Sequence, residues 1–288
     1  MEHVLKHWDF CQTEVLEQLH ENSPRLIYKI KAEKLFYLLK GIPAEMPECV
    51  IRGNVTANQF LGNEKGMAPC VIAMKNGSFY VKENGFWFYL LEFIDGHPLE
   101  ATVENEYLLG RLAKRYHAYT EYQYPAGITG DKQRFYGWFT DRAFKSAFDR
   151  ILDQLPDFRE LDQCLIHTDL GPHNVIMTPD GRLILIDLDD SGLGSRCLDS
   201  GYALICQFVE HDDEMNLWYR FDYAKAFLEG YYGEEEITRE EYDALWSGAA
   251  YMQISYMQCY GDDAVDSLWK ILEFGLAQKE VLWDMISL

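Results

Sequence analysis

Few folds place a short β-hairpin inside a long helical region, and residues 175–186 of this chain predict such a hairpin. Residues 175–177 and 183–186 are apolar and β-like. Between them lies Thr178-Pro179-Asp180-Gly181, in which proline presets φ at the second position and glycine tolerates a positive φ at the fourth. Folding the strands about this turn brings Asn174 and Asp187 to the same open end, opposite each other to within about one residue.

The polar residues near this open end suit phosphate chemistry. The amide oxygen of Asn174 and the carboxylate of Asp187 are hard ligands that Mg²⁺ accepts alongside phosphate and water. Asp169 lies five residues before Asn174 in a Gly-Pro loop, where a carboxylate could orient a hydroxyl and accept its proton as the bond to phosphorus forms. Lys40 ends a predicted strand over residues 34–40, and its ammonium suits the oxygens of the phosphates that are not transferred.

Each of these residues also has a simpler interpretation. Asp and Asn cap turns by chance, His167 is typical of a hydrogen-bonded structural histidine, and Asp189 is typical of a loop carboxylate or of a group supporting the metal ligands. A zinc or iron hydrolase is an alternative, with His167, Asp169, His173 and Asp187 as ligands. That alternative lacks a second histidine pair at ligand spacing and leaves Asn174 and Lys40 without a role.

Strand-like and helix-like patterns divide the chain near residue 95. Residues 25–31 and 34–40 predict a hairpin, and residues 86–93 predict a further strand. Helices are predicted over residues 102–122 and 139–155, from the capping box of Thr238 and Glu241 to about residue 260, and from residue 262 to residue 286. We therefore predict an α+β protein with two domains, residues 1–95 and residues 96–288.

Charge narrows the classes of partner. The chain has 26 Lys and Arg against 47 Asp and Glu, a formal net charge of −21. This balance argues against nucleic acid or an anionic membrane as a primary partner, because both require a basic surface. Residues 96–288 carry −19 of this charge, which is typical of a solvated surface and is also compatible with a cationic small-molecule substrate.

The remaining sequence features favour a cytoplasmic protein. No segment approaches the roughly 18–20 apolar residues that a membrane span needs, and the N-terminus has no pattern of a secretory signal. The seven cysteines include no Cys-x-x-Cys pair, so neither a disulfide framework nor a zinc knuckle is predicted. Nothing in the sequence predicts the oligomeric state.

Four segments resemble one known family. The eight residues from His167 to Asn174, residues 184–190 (Ile-Leu-Ile-Asp-Leu-Asp-Asp), residues 38–40 and residues 90–96 are similar to phosphotransferases of kinase-like fold. That family includes aminoglycoside phosphotransferases, choline kinases, type II homoserine kinases and bacterial spore-coat and stress kinases. The pairing of His-x-Asp-x-x-x-x-Asn with a following Ile-Asp is the specific part of the resemblance.

The resemblance implies a two-lobed protein-kinase-like fold, with a small antiparallel β-rich N-lobe, a larger mostly helical C-lobe, and ATP and Mg²⁺ as cofactors. In it, Asp169 is the catalytic base, Asn174 and Asp187 bind magnesium, and Lys40 contacts the α- and β-phosphates. The resemblance also implies supporting roles: adenine binds the backbone around Glu92 and Ile94, His167 braces the catalytic loop, Asp199 ties down loop ends, and Asp189 supports the site.

The chain departs from the family pattern at three places. No glycine precedes Gly41, so the loop over the phosphates, near Glu21-Asn22-Ser23, is not glycine-rich, and Ser23 and backbone amides take its place in our interpretation. The first helix has no glutamate to pair with Lys40, because residues 54–63 present Asn54, Thr56 and Gln59 instead. Thr168 stands where glycine is commoner.

These features predict a kinase that transfers the γ-phosphoryl group of ATP to a hydroxyl of a small amine-bearing molecule. Amino alcohols, amino sugars, homoserine, choline and aminoglycosides all fit this description. Two alternatives remain: a catalytically weak nucleotide-binding relative of the spore-coat or stress type, and a kinase acting on protein Ser or Thr.

Overall fold

The computed structural model describes residues 1–19, 24–128, 130–260 and 262–287. The chain forms two compact units, Met1–Pro98 with Asn174–Ser191 and Leu99–His173 with Gly192–Leu288. The first unit thus extends three residues beyond the boundary predicted at residue 95 and takes in the predicted hairpin. The hairpin joins this unit because it pairs with residues 97–98 and because the Leu185 N–H donates to the Met67 carbonyl oxygen at 2.8 Å.

The first unit is built on an antiparallel sheet with the strand order β1-β2-β3-β5-β4. Its strands are β1 (Thr13–Leu19), β2 (Leu26–Ala32), β3 (Leu35–Pro43), β4 (Tyr80–Glu83) and β5 (Phe86–Glu92). Its helices are α1 (Glu2–Leu5) and α2 (Glu48–Asn58), the latter continued by a π-helical turn (Gln59–Glu64). The register of β2 against β3 confirms the hairpin predicted over residues 25–31 and 34–40.

The two faces of this sheet are buried by different elements. Successive side chains of a strand point to opposite faces. Leu39 packs with α1 and Trp8 on one face, whereas Ile42 packs with α2 on the other. By the same alternation, Lys40 shares the face of Ile42, where it lies opposite Tyr89 of β5.

A second, small sheet in the same unit contains the predicted hairpin. Its strands are β6 (His97–Pro98), β8 (Val175–Met177) and β9 (Leu183–Leu185). The Gly181 N–H closes the turn on the Thr178 carbonyl oxygen at 2.8 Å, and the φ of Gly181 is +80°. The Ile186 N–H donates to the Asn174 carbonyl oxygen at 2.9 Å. The hairpin and its register are therefore confirmed.

The second unit is mostly helical. Its helices are α3 (Val103–His117), α4 (Lys145–Gln154), α5 (Arg196–Tyr202), α6 (Phe221–Tyr232), α7 (Arg239–Cys259), α8 (Asp262–Ala277) and α9 (Lys279–Ile286). Single turns of 3₁₀-helix (Lys132–Phe135, Phe158–Glu160) and a π-helical segment after α5 (Ala203–Gln207) accompany them. A third 3₁₀ turn, Pro172–Asn174, ends at Asn174 of the first unit. Two strand pairs complete the elements, β7 (Gln163–Ile166) with β10 (Gly192–Ser195) and β11 (Val209–His211) with β12 (Leu217–Tyr219). Among the described residues, no helix combines the length and the apolar character that a membrane span requires.

The predicted helix over residues 102–122 ends early, at His117, because the chain beyond it pairs with strands. Leu165 of β7 donates its N–H to the Tyr119 carbonyl oxygen at 3.0 Å, and Leu193 of β10 donates to that of Tyr124 at 2.6 Å. The helix predicted over residues 139–155 begins only at residue 145, since Phe139 has a φ of +57°, which a right-handed helix excludes. The capping box at Thr238 is confirmed, and the last predicted helix is divided at Gln278 into α8 and α9.

Glycines let two pairs of helices approach closely. On α6, a Cβ atom at Gly230 would overlap the carbonyl oxygen of Tyr107 on α3, and one at Gly110 would overlap that of Phe227 in return. Helices α5 and α7 meet in the same way at Gly201 and Gly248. Backbone approaches of this kind fix the helix positions, because neither backbone can yield without moving its whole helix.

We expect Gly230→Ala to lower the free energy of unfolding by about 1–3 kcal/mol, as overpacked cores do. Alanine is a better helix former than glycine by about 1 kcal/mol, and this gain opposes the loss. We expect the steric overlap with the Tyr107 carbonyl oxygen to outweigh it. The urea midpoint measures the effect. Glu229→Ala, at the exposed neighbouring position, is the control and should leave stability nearly unchanged. A midpoint for Gly230→Ala equal to or above that of the wild type would contradict the close approach.

Candidate active site

Lys40 lies at the centre of a buried charge cluster in the first unit. Its side chain is only 7% exposed, and its Nζ atom lies 2.9 Å from Oδ1 of Asp187 and 2.8 Å from Oδ1 of Asp189. Both carboxylates follow β9 in the Ile-Asp-Leu-Asp segment. Lys40 therefore pairs with two carboxylates from the hairpin. Helix α2 begins at Glu48, before the residues 54–63 in which a glutamate partner was expected, and Glu48 accepts hydrogen bonds from Tyr80 and Arg52 instead.

Asp189 accepts more hydrogen bonds than the supporting role predicted for it would require. Besides Lys40, the hydroxyl of Tyr89 donates to its Oδ1 atom at 3.1 Å, and Nη1 of Arg25 donates to Oδ2 at 2.5 Å. Its side chain is 3% exposed. Arg25 and Tyr89 are site residues that were not predicted from the sequence. One feature of the sequence points to Tyr89, because strand alternation places it on the same face of β5 as Leu91. In the structure Tyr89 lies directly opposite Lys40 of β3.

Helix α2 contributes an amide to this cluster. With its carboxamide nitrogen facing them, Asn54 donates to the backbone carbonyl oxygens of Asp189 and Val50. Asn54 is buried, so these bonds satisfy a polar group that would otherwise be costly to bury. The sequence singles out Asn54 only as a departure from the family pattern. In the structure it fixes the backbone that carries Asp189.

The two cations of the cluster keep their charge. Burial alone would lower the pKa of Lys40, but Asp189 above all, together with Asp187, raises it well above its ordinary value. Burial likewise lowers the pKa of Arg25, and this is more than offset by Asp189, Asp187 and Asp190, so that its pKa is also raised.

The open end of the hairpin carries the predicted metal ligands. The backbone hydrogen bond from Ile186 to Asn174 sets these two residues opposite each other, and Asp187 is the next residue. Asp187 has a φ of +57°, its side chain is 48% exposed, and one of its oxygens contacts Lys40. An amide oxygen and an accessible carboxylate form a donor set that fits Mg²⁺. Among the described residues, no group of three or more His, Cys, Asp or Glu side chains is arranged to hold a metal ion.

In the second unit, Asp199 holds the start of the loop that carries Asp169. Its carboxylate is buried and accepts hydrogen bonds from the backbone N–H groups of His167, at 2.8 Å, and Thr168, at 2.7 Å. Nε2 of His117 lies 3.0 Å from the same carboxylate, and Tyr116 donates to it as well. Thr168 has a φ of +74°, a strained conformation for a β-branched residue. The bonds to Asp199 hold the backbone in that conformation.

Asp169 lies among hydroxyl and imidazole groups. The hydroxyl of Tyr256 donates to its Oδ1 atom at 3.1 Å, and Nε2 of His173 lies 3.5 Å from the same oxygen. The Tyr202 and Tyr256 hydroxyl groups lie 3.0 Å apart. Burial raises the pKa of Asp169, but hydrogen bonds from His173 and Tyr202 outweigh it and hold that pKa far below its ordinary value. Asp169 is therefore ionised at neutral pH. The roles of Tyr202 and Tyr256 had no sequence signal, since the chain contains 19 tyrosines.

The remaining predicted residues are placed as follows. His167 is buried, with its backbone bound to Asp199. Glu92 ends β5 and donates its N–H to the Cys70 carbonyl oxygen at 2.8 Å, while Ile94 and Glu92 both line a cavity of about 460 Å³. Ser23, the predicted contact in the phosphate loop, lies outside the described residues, as do the other residues of the stretch 20–23.

Comparison with known proteins agrees with the predicted family. The chain matches the phosphotransferase enzyme family over residues 59–245, more than half of its length. The fold is similar to that of the microcompartment-associated aminopropanol kinase (18% identity, TM-score 0.68), with 99% of this chain and 97% of that chain covered. It is also similar to amicoumacin kinase hAmiN in complex with AMP-PNP, Ca²⁺ and Ami (16% identity, TM-score 0.68, 97% and 91% covered). Choline kinase LicA from Streptococcus pneumoniae is a further similar structure (17% identity, TM-score 0.58, 96% and 97% covered).

These three structures confirm the protein-kinase-like fold, with its antiparallel sheet in the N-terminal part and helices in the C-terminal part. The family match extends from the π-helical turn after α2 into α7, and it includes the loop of Asp169 and the whole hairpin. This protein belongs to the phosphotransferase enzyme family and is a kinase.

Proposed function

We propose that this kinase transfers the γ-phosphoryl group of ATP, bound with Mg²⁺, to a hydroxyl of a small amine-bearing molecule. The observation that carries the proposal is the ion pair between Lys40 and Asp187, 2.9 Å apart at the open end of the hairpin. It joins a cation suited to phosphate oxygens to a carboxylate suited to magnesium. Asn174 and Asp187 would hold the metal ion, which supplies neutralisation of charge on the phosphate oxygens.

Lys40 has three N–H donors and contacts two carboxylates. In the proposed complex Asp189 retains Lys40, and the ammonium turns toward the α- and β-phosphates. Because Lys40 stays charged, it stabilises these phosphates over the whole physiological pH range. Adenine binds the backbone near Glu92 and Ile94. Since the Glu92 N–H is bonded to Cys70, the carbonyl of Glu92 and the backbone of Ile94 are the groups assigned to adenine.

Asp169 is the proposed base. Its lowered pKa keeps it ionised, so it can orient the acceptor hydroxyl and take its proton as the bond to phosphorus forms. A strongly acidic carboxyl is a weak base, and its main contribution is therefore to orient the hydroxyl, with proton transfer late in the reaction. Tyr256 positions Asp169 through the bond to Oδ1.

We expect Tyr256→Phe to move the acidic limb of the kcat/KM profile to higher pH, because the variant loses one hydrogen bond to the charged carboxylate of Asp169. Asp169 is active when ionised, so activity is lost as the pH falls through its pKa. Loss of the Tyr256 hydroxyl raises that pKa. Tyr260→Phe, which removes the hydroxyl of the ring stacked on Tyr256, is the control. An unchanged acidic limb in Tyr256→Phe would contradict the positioning role.

Three observations support an amine-bearing acceptor. The part of the chain after residue 95 carries −19 of the net charge of −21, and an acidic surface attracts cations. Tyr256, which donates to Asp169, forms an aromatic pair with Tyr260. The two rings are stacked with centroids 6.1 Å apart, and Tyr260 is 52% exposed. Aromatic faces attract ammonium groups. Two of the similar structures are an aminopropanol kinase and a choline kinase, whose names denote alcohols that carry nitrogen.

The test combines binding with turnover. Titration calorimetry with AMP-PNP, with and without Mg²⁺, should show binding that the metal strengthens. ADP release should then be measured with aminopropanol, choline, homoserine, glucosamine and kanamycin, and with glycerol and glucose as neutral controls. We expect turnover with at least one amine-bearing acceptor and with neither neutral alcohol. Absence of nucleotide binding would overturn the proposal, whereas turnover with neutral alcohols or a protein acceptor alone would overturn the assigned acceptor class.

A further inference from the structure

The proposed nucleotide site lacks two parts that the family resemblance led us to expect. The segment before β2 has no glycine, and the glutamate of α2, Glu48, accepts hydrogen bonds from Tyr80 and Arg52 and not from Lys40. A triphosphate nevertheless requires cationic or N–H groups around it, and a phosphate-binding lysine requires a fixed position. The described residues contain a charge cluster that can meet both needs, provided that the proposed function holds.

The need for a fixed lysine is met by Asp189. Its Oδ1 atom accepts hydrogen bonds from Lys40 and Tyr89, and its Oδ2 atom accepts one from Arg25. A carboxylate that is 3% exposed and binds two cations is strongly held. Asn54 of α2 fixes its backbone. Asp189 therefore positions Lys40 from the hairpin, and α2 takes part only through an amide.

Arg25 is the second cation. It directly precedes β2 and lies two residues after the segment at which the phosphate loop is predicted. Two residues further along the chain, Ile27 of β2 lies opposite Lys40 of β3. Its side chain is 31% exposed, in contrast to the 7% of Lys40. A guanidinium presents five N–H donors in a planar fork, so it can contact a carboxylate through one edge and phosphate through another.

Charge balance favours an anionic ligand beside this pair. In the cluster, Lys40 and Arg25 pair with Asp187 and Asp189, and Asp190 also acts electrostatically on Arg25. Of these three carboxylates, Asp187 is the one assigned to the metal ion. When a divalent cation binds Asp187, the two side-chain cations and the metal ion together carry four positive charges against the three carboxylates. The excess of positive charge then matches a polyphosphate chain.

We infer that Arg25 is a second phosphate-binding cation of the nucleotide site, and that Asp189 positions both Arg25 and Lys40. This arrangement would supply, through one arginine and one aspartate, what a glycine-rich loop and a helix glutamate would otherwise supply. Arg25 binds the nucleotide directly, whereas Asp189 acts through the two cations.

The test compares nucleotides that differ only in their phosphates. Adenosine, AMP, ADP and ATP are titrated with Mg²⁺ into the wild type, Arg25→Gln and Arg25→Lys. We expect Arg25→Gln to weaken ADP and ATP about tenfold or more, the loss typical of a charge-assisted hydrogen bond, and to leave adenosine within about twofold. Arg25→Lys should be intermediate. Arg52→Gln, which removes an exposed arginine of α2 paired with Glu48, is the matched control and should not differ from the wild type.

The outcomes separate the inference from the proposed function. If Arg25→Gln weakens the binding of adenosine as much as that of ATP, Arg25 has only a structural role and the inference is wrong. If it weakens the binding of neither, Arg25 does not contact the nucleotide and the inference is also wrong. If the wild type binds no nucleotide, the proposed function itself fails and the inference with it. Asp189→Asn should weaken ADP and ATP more than Arg25→Gln does, since both cations lose their position. Asp189→Glu should restore part of the affinity if the carboxylate charge is what matters. If Asp189→Asn does not fold, the Arg25 series still decides.

Discussion

Asp169→Asn is expected to lower kcat for phosphoryl transfer by about 10²–10⁴-fold, the range typical of a removed general base. Asparagine has the same shape and keeps an oxygen that can accept the bond from Tyr256, so the loop should keep its conformation. What is lost is the negative charge that orients the acceptor hydroxyl and finally takes its proton. Because the nucleotide phosphates are assigned to Lys40 and the hairpin, the Kd for ATP should change little.

The measurement is steady-state turnover alongside calorimetric ATP binding. Asp141→Asn provides the control, because Asp141 is an exposed carboxylate of the second unit and the exchange is the same. A variant at Asp169 that binds ATP normally and turns over at the wild-type rate would show that this carboxylate is not the base. A variant that binds ATP tenfold more weakly would point to a role in nucleotide binding instead.

Asp187→Asn is expected to lower kcat/KM for ATP by about 10²-fold or more, since it removes a carboxylate from the proposed metal site and a partner from Lys40. The charge change predicts a second, opposite effect. In EDTA, ATP should bind the variant at least as well as it binds the wild type, because a negative charge beside the triphosphate is gone. The benefit of Mg²⁺ to binding should therefore shrink or vanish in the variant.

Calorimetry with and without Mg²⁺ measures that benefit directly, independently of catalysis. Asp180→Asn is the matched control, since Asp180 lies in the turn at the other end of the same hairpin and is exposed. Should Asp187→Asn retain the full Mg²⁺ effect on binding, the metal ion would have to be assigned to other residues.

The parts of the site that could be predicted from the sequence are the local ones. Asn174 and Asp187 are thirteen residues apart and joined by a hairpin whose turn residues determine the register, so their pairing follows from strand periodicity alone. The contact between Asp199 and the loop of Asp169 was implied by the family resemblance. The capping box of α7 is likewise a pattern of four residues.

The parts that could not be predicted depend on contacts between distant segments. Arg25 and Asp189 are 164 residues apart, and Tyr256 and Asp169 are 87 apart. No periodicity within either segment encodes such a pairing. The same limit explains the early end of α3, where pairing of residues 119–126 with β7 and β10 overrides a helical pattern.

The discontinuity of the first unit has a consequence for how this chain is made and folded. The strand that carries Lys40 is synthesised about 150 residues before the carboxylates that neutralise its charge, and the whole segment Leu99–His173 comes between them. Until the ribosome has released residue 189, burial of Lys40 would leave an uncompensated ammonium in an apolar environment, which is strongly unfavourable. The N-terminal sheet therefore cannot reach its final packing during early translation, and residues 1–98 alone should behave as an incompletely folded fragment. Completion of this unit depends on closing a long loop, a slow, non-local step in folding.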